Sequence, residues 1–144
     1  MWLVVATLAS AFWGLTYVFG EQVYKYISIY TTISINALII GFFYLFVAQT
    51  KGVLKTDITT ISTTPKVVGL IACGVIVFAI AELFIALSIT SKNATLAGLI
   101  EITYPLFIAL FAYILFREAQ LNLGIAVGGI IIFVGVVIVY WFSK

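Results

Sequence analysis

The sequence predicts an all-α integral membrane protein with five transmembrane helices, and three observations carry that prediction. Of its 144 residues, 65% are hydrophobic and only 8% are charged, where an ordinary soluble domain has about half and about a quarter. The apolar residues gather into five runs, 2–20, 27–48, 67–89, 95–116 and 121–142, each near the roughly 20 residues that cross about 30 Å of hydrocarbon. Each run is continuously apolar, whereas a membrane β-strand would alternate over about ten residues.

The first run opens at Trp2 with no basic residue ahead of it and no small-residue cleavage site behind it. It is therefore expected to stay in place as a helix rather than be removed as a signal peptide. Ser10, Trp13, Gly14, Tyr17 and Glu21 recur along it at spacings of three and four, which makes one semi-polar aromatic stripe. Faces of Trp and Tyr hold quaternary or guanidinium groups for about 0.5 to 2 kcal/mol each; the same stripe also suits helix packing and interfacial anchoring.

In the second run the main polar feature is Asn36, with Thr32 one turn before it. The pair either lines a cavity or bonds between helices. The stretch 49–66 that follows holds Lys51, Lys55, Asp57 and Pro65 among many threonines. It reads as a connection, and no soluble domain of useful size is left over. The third run contains the single cysteine, Cys73, so neither an intrachain disulfide nor a metal-ligand spacing is available.

Two acids lie inside the runs: Glu82 in the third and Glu101 in the fourth. A carboxylate in hydrocarbon costs about 2.5 kcal/mol or more, so such acids face a bundle interior or a wet cavity. Counted from the short turn between the two runs, they sit roughly 12 and 9 Å deep. That turn makes the runs antiparallel neighbours and gives the acids one depth. Two facing carboxylates would exchange a proton for a cation, and Glu82, nearer the midplane, is the first choice for coupling. Pro105 removes the amide that the Glu101 carbonyl would otherwise bond, which predicts a kink there. Tyr104, three residues beyond Glu101, falls on nearly the same helical face.

The fifth run has Gly124 and Gly128 as a small-xxx-small pair and Gly135 a heptad later. With no polar side chain in its central part, it reads as a seam for a second copy rather than a pathway wall. Trp2, Tyr140 and Trp141 fall at run ends as interfacial anchors. Glu118, beside Arg117 in the last turn, is expected to cap the fifth helix or pair locally.

The remaining composition excludes partners and chemistry. There is no histidine, and a net charge of +2 is spread without a basic cluster suited to nucleic acid or anionic headgroups. No nucleophile, metal set or cofactor fingerprint is visible, so neither an enzyme nor a cofactor is expected. Five spans put Lys51, Lys55, Lys66 and Arg117 on one side and Lys25, Lys92 and Lys144 on the other. So small a Lys/Arg difference leaves orientation almost unset. One reading makes the richer side cytoplasmic. The other is dual topology, in which the chain pairs with its own inverted copy, as in inverted-repeat transporters.

Two stretches carry a resemblance. The first helix reads SAFWGLTY over 10–17, and 95–140 reads TLAGLIEITYPLFIALFAYILFREAQLNLGIAVGGIIIFVGVVIVY. The chain resembles the five-helix EamA-like module of the drug/metabolite transporter superfamily, and the resemblance covers most of its length. Its most specific part is the proline-centred fourth helix, the Arg117–Glu118 turn and the glycine-rich fifth helix. Members usually carry two such modules in tandem, inverted to make ten helices. The resemblance therefore implies one half of an inverted-repeat ten-helix architecture, and a paired working unit. Where members often have an arginine in the second helix this chain has Asn36, so a role in holding an anionic group does not carry over.

The expected function is secondary active transport of small organic solutes. Its most concrete form is proton-coupled export of a cationic or zwitterionic metabolite or drug by an inverted homodimer in the plasma membrane of a prokaryote. The bilayer, a second copy, a small organic solute and protons are the expected partners. The substrate or proton site is expected at Glu82, Glu101, Trp13, Tyr17, Asn36 and Tyr104. A non-transporting subunit, half of a heterodimeric transporter and a lipid-carrier flippase are the alternatives.

Overall fold

The computed structural model describes residues 1–119 and 122–143. Leu121, expected to open the fifth span, and Lys144, counted among the side-two charges, lie outside them. Seven α-helices follow in order: α1 (Trp2–Val23), α2 (Ile29–Thr50), α3 (Leu54–Thr63), α4 (Pro65–Ser91), α5 (Ala94–Glu101), α6 (Tyr104–Phe116) and α7 (Leu123–Phe142). Among the described residues there is no strand. Five spans are long and apolar enough to cross a bilayer: α1, α2, α4, α5 with α6, and α7. The chain is an all-α, multi-pass membrane protein.

Short polar residues set the helix starts. Each offers a side-chain oxygen to an amide that the first turn leaves without a helical partner. Ser28 accepts from the Thr31 amide at 3.2 Å, Asn93 from Leu96 at 2.8 Å and Asn122 from Ile125 at 2.9 Å. Asn122, not Glu118, is thus the side chain that caps α7. After α2 the chain turns through Gly52 at φ 72°, and Pro65 opens α4, where its missing amide costs nothing. Arg117 ends α6 in the left-handed region at φ 60°, its guanidinium 6.0 Å from the Tyr113 ring centroid.

Two features add to the sequence expectation. The stretch 49–66 is not a plain connection, because it contains α3. Leu54, Ile58 and Ile61 recur there at spacings of four and three among Lys, Asp, Ser and Thr, an amphipathic pattern that belongs at a water–lipid boundary. The fourth span is interrupted at Ile102 and Thr103, between α5 and α6, where the backbone keeps right-handed helical angles but the turn tightens.

The chain forms two compact units, Met1–Val18 with Ser91–Lys144, and Phe19–Thr90. In the first, α5 packs on α7 and the Leu106 side chain fills the space above Gly129. In the second, α3 packs on α2 and Thr32 is buried, its hydroxyl donating to the Ser28 carbonyl at 3.0 Å. The buried apolar residues are small in the main: Ala86 and Ile89 in the second unit, Ala94, Ala97 and Ala109 in the first. Most of every span is exposed. That is expected for helices whose outer surface meets lipid, where close approach through small residues replaces the hydrophobic drive.

Candidate functional site

The site is built around Glu101, the last residue of α5. Asn93 caps α5 and so fixes where the helix begins, which places Glu101 two turns further along. Its half-buried carboxylate accepts a hydrogen bond from the Tyr17 hydroxyl of α1. A carboxylate that accepts from a phenol inside an apolar layer has part of its lost hydration replaced.

Two neighbours hold Tyr17 in place. Its ring lies over Gly98, one turn before Glu101, where an added Cβ would stand 3.4 Å from Tyr17 Cδ2 and 3.7 Å from Cε2. Trp13, one turn earlier on α1, sets its ring centroid 6.0 Å from that of Tyr17 at a tilt of 51°, within the range of a favourable aromatic pair. Trp13 is half-exposed and offers the rest of its face. The result is a carboxylate, a phenol and an indole face in succession, all within the first unit.

The break beside Glu101 has a local cause. Pro105 has no amide, and the chain tightens around it: the Thr103 amide donates to Ile100 at 3.3 Å, and the Leu106 amide to Thr103 at 3.0 Å. The Thr103 hydroxyl also donates to the Ile100 carbonyl, at 3.0 Å. Tyr104 opens α6 and is exposed, with no side-chain hydrogen bond among the described residues. The break therefore does not bring it to Glu101.

Glu82 belongs to the second unit. It is half-buried on the face of α4 that continues through Ile85, Ala86 and Ile89. Tyr24, just beyond α1, has its phenol pushed above the usual 10.0 by burial first and by the negative charge of Glu82 second. The Tyr24 ring folds back over Gly20, where an added Cβ would stand 3.4 Å from both Cε2 and the hydroxyl oxygen. Sequence reasoning missed Tyr24; its spacing of seven from Tyr17, with glycine four residues before it, was the available signal. Asn36 is exposed on α2 with no side-chain hydrogen bond among the described residues.

On α7, Gly124 and Gly135 are exposed and Gly128 is half-buried. An added Cβ would have open space at Gly128 and Gly135, and at Gly124 would meet only Asn122 Oδ1, at 3.3 Å. The glycine that makes a close contact within the chain is Gly129, which the sequence did not single out.

The model of the EamA-like transporter family matches residues 1–141. The chain belongs to that family. No curated protein and no solved structure matches it. An EamA-like member is a transporter of the drug and metabolite type, and five spans with a broken, carboxylate-bearing fourth one accord with that. Among the described residues, no three His, Cys, Asp or Glu side chains gather as a metal set.

Proposed function

We propose that this EamA-like protein exports small cationic or zwitterionic organic solutes in exchange for protons. It does so as two inverted copies of the five-helix module in a prokaryotic plasma membrane. One observation carries the reading: the Glu101 carboxylate meets the Tyr17 hydroxyl where the fourth span is broken. A membrane-embedded carboxylate is a functional group by default, because it costs too much to keep as packing. Here it accepts a hydrogen bond from a phenol, a place that a proton or a substrate cation can take.

The exchange follows from charge. With a proton on Glu101 the site is neutral and has no hold on a cation. With the proton gone, the carboxylate balances one positive charge, and the Trp13 and Tyr17 faces take the apolar part of an organic cation. Proton and cation then compete for one group, which is the condition for exchange. Glu82, with Tyr24 beside it, supplies a second carboxylate in the other unit. Dimerisation through the open glycines of α7 supports the paired module, since an inverted copy restores the inverted repeat on which alternating access is built.

The test is reconstitution of the wild type, Glu101→Gln and Tyr17→Phe in vesicles with an imposed pH gradient and a panel of organic cations. Glu101→Gln is expected to fold and to lose gradient-driven accumulation. Full accumulation by that variant would remove Glu101 from the mechanism.

A further inference from the structure

The broken fourth span leaves backbone carbonyls without the amides a continuous helix would give them. The Leu99 carbonyl loses the Thr103 amide, which turns to Ile100; the Ile102 carbonyl loses the Leu106 amide, which turns to Thr103. The Glu101 carbonyl faces Pro105, which has no amide to give. Three carbonyls within four residues thus lack their α-helical amide, all inside the apolar span Ala94–Phe116. Irregular backbone at membrane depth persists only where protein covers it or where it lines a polar cavity.

The released carbonyls have a shared character. They stand at the C-terminal end of α5, where the aligned peptide dipoles put partial negative charge, within two residues of Glu101, whose carboxylate accepts from the Tyr17 hydroxyl. Hard oxygen donors freed at an interruption of a spanning helix are the kind of group that coordinates a small cation. A single carboxylate balances a single positive charge, which matches a monovalent cation.

We infer that the break at Leu99–Ile102 is a binding seat for a desolvated monovalent cation, an alkali ion or the ammonium head of a substrate, held by released carbonyls together with the Glu101 carboxylate. This rests on reading Glu101 as the transport site and adds the ligand and the backbone that selects it. The seat's acceptors favour a compact ammonium over a quaternary one, because an ammonium has N–H groups to donate to carbonyls and a quaternary nitrogen has none.

Trp13, in ring contact with the tyrosine that bonds Glu101, is a built-in reporter. With Trp2 and Trp141 replaced by Phe, its emission in detergent or nanodiscs is followed as sodium or methylammonium chloride is titrated, N-methylglucamine balancing ionic strength. A saturable change is expected and should vanish in Glu101→Gln. Pro105→Ala and Pro105→Gly each return an amide to the break, so either should weaken the apparent affinity about tenfold or more. Circular dichroism verifies that both remain helical. A response to sodium alone identifies an alkali seat, one to methylammonium alone a substrate seat, and one to both a shared seat. No response to either cation, or an unchanged affinity in both proline variants, overturns the inference. The proposed function is judged separately, by the pH dependence of Trp13 emission without either cation. That dependence should survive in the proline variants and disappear in Glu101→Gln.

Discussion

Gly129→Ala is the sharpest structural test of how α6 and α7 meet. A Cβ added at Gly129 would fall 2.2 Å from Leu106 Cδ2, 3.4 Å from Cγ and 3.9 Å from Cδ1. Carbon atoms rest at about 3.5 to 4.0 Å, so the nearest methyl has to retreat by about 1.3 Å or more, by a rotamer change or by parting of the helices. Overpacking of this kind costs about 1 to 3 kcal/mol, a factor of roughly five to 150 in the folding equilibrium. Every atom in the clash belongs to the part of Leu106 that alanine lacks. Leu106→Ala should therefore relieve the glycine substitution even though it opens a cavity of its own. The double variant is expected to be more stable than the sum of the single losses predicts, with a coupling of about 1 to 3 kcal/mol. Equilibrium unfolding of the four proteins in mixed micelles reads this directly. Because alanine also gains about 1 kcal/mol of helix propensity over glycine, the coupling rather than the single loss decides, and strict additivity would refute the packing.

Four further outcomes follow from the same structure. Tyr17→Phe removes a hydrogen bond to a charged group, worth about 1.5 to 3 kcal/mol, and should cut proton-driven cation accumulation about tenfold in vesicles while leaving insertion unchanged; wild-type accumulation would detach the phenol from coupling. Glu82→Gln should leave folding intact and lower the alkaline titration of Tyr24 while leaving it above 10.0, since burial is the larger cause; tyrosinate absorbance against pH, taken as the difference from the matching Tyr24→Phe protein, measures this, and an unmoved curve would separate the two groups. Gly128→Leu should weaken dimerisation without blocking insertion, read by mass measurement in detergent; an unchanged dimer fraction would leave the α7 glycines to lipid contact. Single-cysteine labelling from one face, in a Cys73→Ser background, should find the C-terminus on both sides of the membrane, and one uniform orientation would end the inverted-homodimer proposal.

The spans were legible because hydrocarbon imposes a simple demand: about 20 apolar residues, with every backbone group bonded inside the helix. Tyr17 and Glu101 were legible for a related reason, since polar groups in such runs are few and conspicuous. Pro105 marked where the fourth span is interrupted, although not how the turn tightens there, because that depends on which carbonyls the neighbouring amides take instead. The helix α3 was hidden by its threonines, whose branched side chains lower helix propensity, and by its length of 10 residues, too short for an isolated helix to form alone. Tyr24, Gly20, Gly98 and Gly129 were illegible because each matters only through a contact: a ring folded over a glycine, or a leucine in a glycine's space. Tyr104 and Asn36 were singled out by their polarity, and both are exposed, with no side-chain hydrogen bond among the described residues.

Whether cation movement is tied to proton movement is best measured inside sealed vesicles that carry the purified wild-type protein and a trapped pH-sensitive dye. Addition of an organic cation outside, with no pH gradient imposed, should drive protons out and make the lumen alkaline, with a rate that saturates in the cation and is absent from Glu101→Gln vesicles. A cation that enters, measured by its own label, with no change in luminal pH would contradict the account.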